Sequence, residues 1–154
     1  MSVAKTAPVG SASLQGDLWG ARARDYAEVQ EPTFLPLYES ALARSEILKA
    51  SSILDVGCGP GLAAQVFSRR IDRVAGADAT APFIEIARRR VPGGDFHVAE
   101  MESLPYDDGA FDAVTGFNAF QYAASPVNAL REARRVVKAG GIIVIAEAAR
   151  QRGT

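Results

Sequence analysis

Apolar and polar positions along the chain follow two regimes, and the change falls at Ser51. From there on, short runs rich in β-branched residues alternate with amphipathic segments of ten or more residues, the pattern of βαβ units and a parallel sheet. The runs predict strands over 52–56, 73–77, 95–99, 113–117 and 142–147, with helices between them over 62–70, 81–91 and 126–138. Thr80 and Ser125 stand where N-caps belong, Pro126 follows at a first helical position, and Gly93 and Gly140 sit just past expected helix ends. In the last helix Pro126, Leu130, Ala133 and Val137 form one stripe for packing on the sheet, and Asp107-Asp108-Gly109 marks a turn before the fourth strand.

Before Ser51 the spacing is helical. Leu18, Trp19, Ala21, Ala23, Tyr26 and Ala27 suggest a helix over 18–29; Phe34, Leu35, Leu37, Tyr38, Leu42, Ile47 and Leu48 suggest another over 34–48. Pro32 and Pro36 place a break near Glu31. Ala, Ser, Gly and Val dominate the first residues, so 1–15 reads as a disordered leader and 16–154 as one domain. The fold class expected is α/β, a doubly wound, mostly parallel sheet preceded by N-terminal helices.

Charge narrows the partners. Lys and Arg total 17 against 18 Asp and Glu, so no global positive field exists to gather nucleic acid. The densest basic run, Arg88-Arg89-Arg90, closes an expected helix and complements its negative end. Cys58 is the only cysteine, which excludes an internal disulfide and a multi-thiolate zinc cluster and fits a reducing, cytoplasmic setting. No apolar stretch is long enough for a membrane span.

The candidate chemistry lies where the first strand runs into a turn, Asp55-Val56-Gly57-Cys58-Gly59-Pro60-Gly61-Leu62. Alternate glycines permit positive φ and close backbone approach to a ligand, and the following helix presents free N–H groups. Such a turn also serves packing alone, so it does not decide the matter. Asp78, closing the second strand, strengthens it: in a doubly wound sheet that position sits beside the first loop and can accept from both ribose hydroxyls. The rival reading of Asp78 is a helix-capping acid, a role that Thr80 is placed to fill. The order G-x-G-x-G departs from the dinucleotide G-x-G-x-x-G, and Asp55 would repel a diphosphate while suiting an ammonium group. A sulfonium nucleoside with an amino-acid tail satisfies both conditions. No catalytic base stands out: His97 is mid-strand, whereas Tyr26, Gln121 and Tyr122 are better placed as pocket neighbours, and Cys58 reads as a space-filler.

At these residues the chain resembles class I S-adenosylmethionine-dependent methyltransferases, specifically the type 11 group that includes ubiquinone and menaquinone biosynthesis enzymes. Further blocks carry the likeness: Val74-Ala75-Gly76-Ala77-Asp78, Glu100-Met101-Glu102-Ser103-Leu104-Pro105-Tyr106, Phe111-Asp112-Ala113-Val114-Thr115, and Leu130-Arg131-Glu132-Ala133-Arg134-Arg135-Val136-Val137-Lys138-Ala139-Gly140-Gly141. The resemblance implies a Rossmann-like fold, S-adenosylmethionine as cofactor with S-adenosylhomocysteine as product, and a small-molecule methyl acceptor. It implies that Gly57, Cys58, Gly59 and Gly61 hold the methionine moiety and that Asp55 helps position its ammonium. Asp78 with Ala79 would take the ribose, Glu100, Met101 and Glu102 the adenine side, and Phe117 and Asn118 the methionine end.

Two positions depart from the family pattern, Glu100 for Asp and Ala139 for Pro. Family members continue past the fifth strand with a helix and an antiparallel hairpin. Here only seven residues follow Glu147, so the expectation is an uncovered fifth-strand edge, a homodimer or aggregation through it, and weak methyl transfer. A non-catalytic S-adenosylmethionine-binding fragment or regulator and, less favoured, an NAD-dependent oxidoreductase stand as alternatives.

Overall fold

The computed structural model describes Gly20 and residues 22–147. The expected leader, Leu18, Trp19, Ala21 and the residues after Glu147 lie outside that range, as do the expectations placed on them.

Among the described residues five strands form one sheet: β1 (Ser52–Val56), β2 (Arg73–Asp78), β3 (Asp95–Val98), β4 (Phe111–Phe117) and β5 (Val137–Ala146). Their order is β3-β2-β1-β4-β5, and every pairing is parallel. Among the described residues the α-helices include α1 (Ala23–Asp25), α2 (Leu35–Leu42), α3 (Ser45–Leu48), α4 (Leu62–Phe67), α5 (Ala81–Arg90) and α6 (Pro126–Val136).

β1 is buried along its whole length, as a central parallel strand covered on both faces must be. Strand alternation divides its side chains between two cores. Ile53, Val74 and Ala113 join Tyr38, Phe67 and Ile84 under α2, α4 and α5. Leu54, Ala75 and Val114 join Ala129, Ala133 and Val136 of α6 on the opposite face. Side chains as enclosed as Ile53, Leu54 and Phe67 each contribute about 1.5–3 kcal/mol.

Strand order reverses between β1 and β4, so a crevice opens at their carboxyl ends, where open α/β sheets bind ligands. The loop leading into the start of β4 is braced by Arg135, which donates to the carbonyls of Leu104 and Tyr106 and to Asp108, while Glu132 accepts from the Leu104 N–H. Those two charged residues of the 130–141 block thus clasp the loop that leads into β4.

Several boundaries differ from the expected ones. Helix α6 buries Ala129, Ala133 and Val136, whereas Leu130 is 40% exposed. Its packing face is therefore rotated from the expected stripe. Val137 leaves the helix in an extended conformation (φ −80°, ψ 141°) and pairs at once with Phe111. Gly140 (φ +77°) then lies within β5, between the Phe111–Val137 and Ala113–Ile142 pairings where the register shifts, and not at a helix end. Thr80 holds the N-cap position of α5 without a side-chain capping bond, while Ser125 caps α6 by accepting from the Asn128 N–H.

The expected helix over 34–48 breaks at Arg44, whose backbone is extended, giving α2 and α3. Upstream, the chain passes from α1 into a π turn, Tyr26–Gln30, closed by the Glu31 N–H on the Tyr26 carbonyl, and then a 3-10 turn, Glu31–Phe34. Pro32 has no N–H to continue an α-helical ladder, and π turns occur preferentially at functional sites. Among the described residues no helix is long and apolar enough to cross a membrane.

Candidate functional site

The glycine loop leaves β1 with Gly57 at φ +69° and reaches α4 through Gly61 at φ +87°. Both need glycine for space as well as for φ. A Cβ on Gly57 would stand 2.5 Å from that of Ala119, and one on Gly61 2.8 Å from that of Ala87 in α5. The loop is tied to the end of β2, for the N–H groups of Gly57 and Cys58 both donate to the Ala77 carbonyl (2.8 and 3.1 Å). One residue on, Asp78 accepts from the Gly59 N–H (2.9 Å) and the Thr80 N–H (2.8 Å). Asp78 thus holds the turn between β2 and α5 and caps no N–H within the helix. A carboxylate offers about four lone-pair sites, so two such bonds leave acceptor capacity for a ligand.

Above the loop lies a cavity of about 820 Å³. Its floor is Gly57, Gly59, Ala77, Asp78 and Ala79; one wall is Phe83, Ala99, Glu100 and Met101. Phe117, Asn118, Gln121 and Tyr122 form the wall beyond β4, and Tyr26, Gln30 and Phe34 close it from the N-terminal side. Acids line it at Asp78, Glu100 and Glu147, and among the described residues no Lys, Arg or His does. Such a lining suits hydroxyls, amines and cations and gives a diphosphate no countercharge. Asn118 adopts φ +48°, the only positive φ at a non-glycine among the described residues, and its N–H donates to the Ala146 carbonyl. Strain of this kind persists where surrounding structure imposes it, often at ligand sites.

Eight of the residues singled out from the sequence meet in this cavity: Gly57, Gly59, Asp78, Ala79, Glu100, Met101, Phe117 and Asn118. Four do not line it. Cys58 is buried against Gly76, whose added Cβ would meet its sulfur at 2.8 Å, and burial raises the thiol pKa well above its usual value. Gly61 packs on Ala87. Glu102 accepts from the Ser125 N–H at the start of α6. Asp55 is enclosed under the loop and accepts from the Thr115 hydroxyl at 2.7 Å. β1 alternation puts it on the α2 side of the sheet, with Ile53, and it is not among the residues that line the cavity. His97 lies outside as well, bonded to Asp95 at 2.8 Å.

Burial pushes the Asp55 carboxyl up from 3.8 to about 7; the Thr115 hydroxyl opposes the rise, and Glu31 and Asp78 add to it. Because the folded-state value is the higher one, the native protein keeps a proton that the unfolded chain has lost between about pH 4 and 7. This group's contribution to stability therefore falls as pH rises through that window. Asp55→Asn keeps an acceptor for Thr115 and cannot ionise. Its thermal midpoint should gain on that of the unmodified protein from about pH 4 to about pH 7 and level off above, with an upper bound of about 4 kcal/mol. A difference constant with pH would show that Asp55 ionises without cost.

Tyr26, Gln121 and Tyr122, expected as pocket neighbours, do line the cavity. Burial, helped by Glu31 and Asp78, holds the Tyr26 hydroxyl up to about 12, so it stays protonated as a donor at neutral pH. Gln30, Phe34, Phe83, Glu147 and the buried Glu31 escaped the sequence reading. The break at Pro32 was a signal for the first two, since an interrupted helix frees its residues to face a ligand.

A family model described as methyltransferase domain matches residues 54–145. A demethylmenaquinone methyltransferase of Thermotoga maritima is 35% identical over 97 residues, covering 62% of this chain and 42% of the relative. Among solved structures, the complex of the Haloferax volcanii Trm112 methyltransferase activator with a methyltransferase aligns with TM-score 0.72 at 30% identity, over 84% of this chain and 58% of that one. The cyclase SpnF aligns with TM-score 0.74 at 25% identity, over 87% and 59%. The chain spans 30% to 45% of the length of the curated relatives it matches.

Proposed function

The chain belongs to the type 11 methyltransferase-domain family of class I S-adenosylmethionine-dependent enzymes, and from that premise we propose that its cavity binds S-adenosylmethionine and presents it to a small-molecule methyl acceptor. The observation that carries this reading is the juxtaposition of the glycine loop with Asp78 in a cavity whose charged lining among the described residues is acidic. S-adenosylmethionine combines ribose hydroxyls, an ammonium and a sulfonium, and it has no phosphate, so the donors and the charge sign fit. When bound, it supplies an electrophilic methyl group on sulfur.

The chain's own residues hold and orient. Asp78 accepts from the ribose hydroxyls, and Glu100, one methylene longer than the aspartate usual in the family, accepts from the adenine amino group beside Met101. The backbone of Gly57 and Gly59 admits the methionine portion, with Phe117 and Asn118 at its far end. Asp55 acts from beneath the loop without contact, its bond to the Thr115 hydroxyl tying the end of β1 to β4 under the methionine portion. Tyr26, Phe34 and Tyr122 give the acceptor side an aromatic lining that excludes water and aligns a planar acceptor, which is the main task in an in-line displacement. The likeness to a protein described as a cyclase favours, as a second reading, a reaction other than methyl transfer in the same cavity.

Cofactor choice is tested by thermal shift. S-adenosylmethionine or S-adenosylhomocysteine at about 100 times its dissociation constant should stabilise by about 2.7 kcal/mol, about 5–10 °C for a domain of this size, and NAD should do nothing. A shift with NAD and none with either sulfur compound would overturn the reading.

A further inference from the structure

Glu31 is 2% exposed, on the segment that closes the cavity, between two of its lining residues, Gln30 and Phe34. One carboxylate oxygen accepts from the Leu62 N–H at the start of α4 (3.2 Å), and the other pairs with Arg90 at the end of α5. The Arg90 guanidinium also donates to the Pro60 carbonyl in the glycine loop (3.1 Å) and to the Ala27 carbonyl in the π turn (3.3 Å). One ion pair thus joins the N-terminal wall, the glycine loop and α5. Tyr26, one π turn before Glu31, rests on Phe83 (5.4 Å between ring centroids) and would lie 4.0 Å from a Cβ on Gly59.

Burying an ion pair gains little stability over apolar residues of the same volume, because desolvation offsets the attraction. Its distinctive property is direction: a two-oxygen acceptor and a forked donor admit a single arrangement of the backbone groups they bridge. We propose that Glu31 and Arg90 are a positioning pair that docks the 26–34 segment on the glycine loop and thereby sets Tyr26 and Gln30 over the bound cofactor, so that cofactor retention depends on the pair more than folding does. The proposal rests on the cofactor reading above for its consequence and on the geometry alone for the docking. Glutamine at 31 cannot substitute, since it has one acceptor oxygen for two donors and sets its own N–H against the second.

The test uses the full chain and its Glu31→Gln and Arg90→Lys variants, the latter keeping charge and losing the fork. Hydrogen exchange on the ligand-free proteins should show faster exchange across 22–34 in both variants, with β1 and β4 unchanged. Calorimetry well below each variant's melting temperature should show S-adenosylhomocysteine bound about tenfold or more weakly by Glu31→Gln, with a smaller loss for Arg90→Lys. Folded variants with unchanged exchange in 22–34 and affinity within about twofold of the unmodified protein would overturn the proposal. If one variant fails to fold, the other decides by the same two readings. An unmodified protein that binds no S-adenosylhomocysteine would instead overturn the cofactor reading, while the exchange result would still decide the docking.

Discussion

Alanine at Gly61 should cost the protein about 2–5 kcal/mol of stability, the sum of a left-handed backbone imposed on a residue with a Cβ, about 1–2 kcal/mol, and overpacking of about 1–3 kcal/mol. The overpacking is hard to relieve because the added Cβ would stand 2.8 Å from the Ala87 Cβ and 3.0 Å from its Cα. Neither is the end of a flexible side chain. A domain of this kind has only about 5–15 kcal/mol in total, so the urea midpoint of Gly61→Ala should fall steeply at an unchanged slope. Gly93→Ala is the control: nothing lies within 4 Å of its added Cβ, and its φ is not in the left-handed region. Its midpoint should stay the same or rise slightly. Equal midpoints for Gly61→Ala and the unmodified protein would mean that the loop does not pack on α5 as described.

Asp78→Ala should weaken S-adenosylhomocysteine binding by tenfold or more. Two charge-assisted bonds to the ribose, about 1.5–3 kcal/mol each before relaxation, would be lost. The same substitution removes the acceptor of the Gly59 and Thr80 N–H groups, so part of the loss comes through the loop itself. Asp78→Asn separates the two effects, since its single oxygen can still serve one of these donors. Its affinity should fall between that of Asp78→Ala and that of the unmodified protein. Both variants should be titrated well below their melting temperatures. An unchanged dissociation constant for Asp78→Ala in a folded protein would place the ribose elsewhere.

Sequence carried the sheet further than it carried the site's surroundings. β1 was legible because a covered parallel strand must be apolar on both faces, and it matches its expected span of 52–56; the more exposed β3 and β5 were legible as short runs between turn signals. The glycine loop and Asp78 were legible for a similar reason: they are short-range signals pinned to strand ends. Orientation was harder to read. Asp55 and Asp78 both stand beside the loop in sequence, yet Asp78 closes its strand at the cavity, whereas Asp55 sits inside its strand, paired in register with Thr115. The buried contacts that shape the site were invisible, because Glu31 and Arg90 are 59 residues apart and Asp55 and Thr115 are 60 apart. Periodicity says nothing about contacts at that range. It also placed the end of α6 too late, since Val136 and Val137 continue the helical pattern while β4 draws Val137 into the sheet.

The most direct test of the central claim is a crystal structure of the protein grown with S-adenosylhomocysteine. The ligand should occupy the cavity above Gly57 and Gly59, with its ribose hydroxyls within hydrogen-bonding distance of the Asp78 carboxylate and its adenine beside Glu100 and Met101. A ligand bound away from Asp78, or a saturating soak that leaves this cavity without density, would contradict the account.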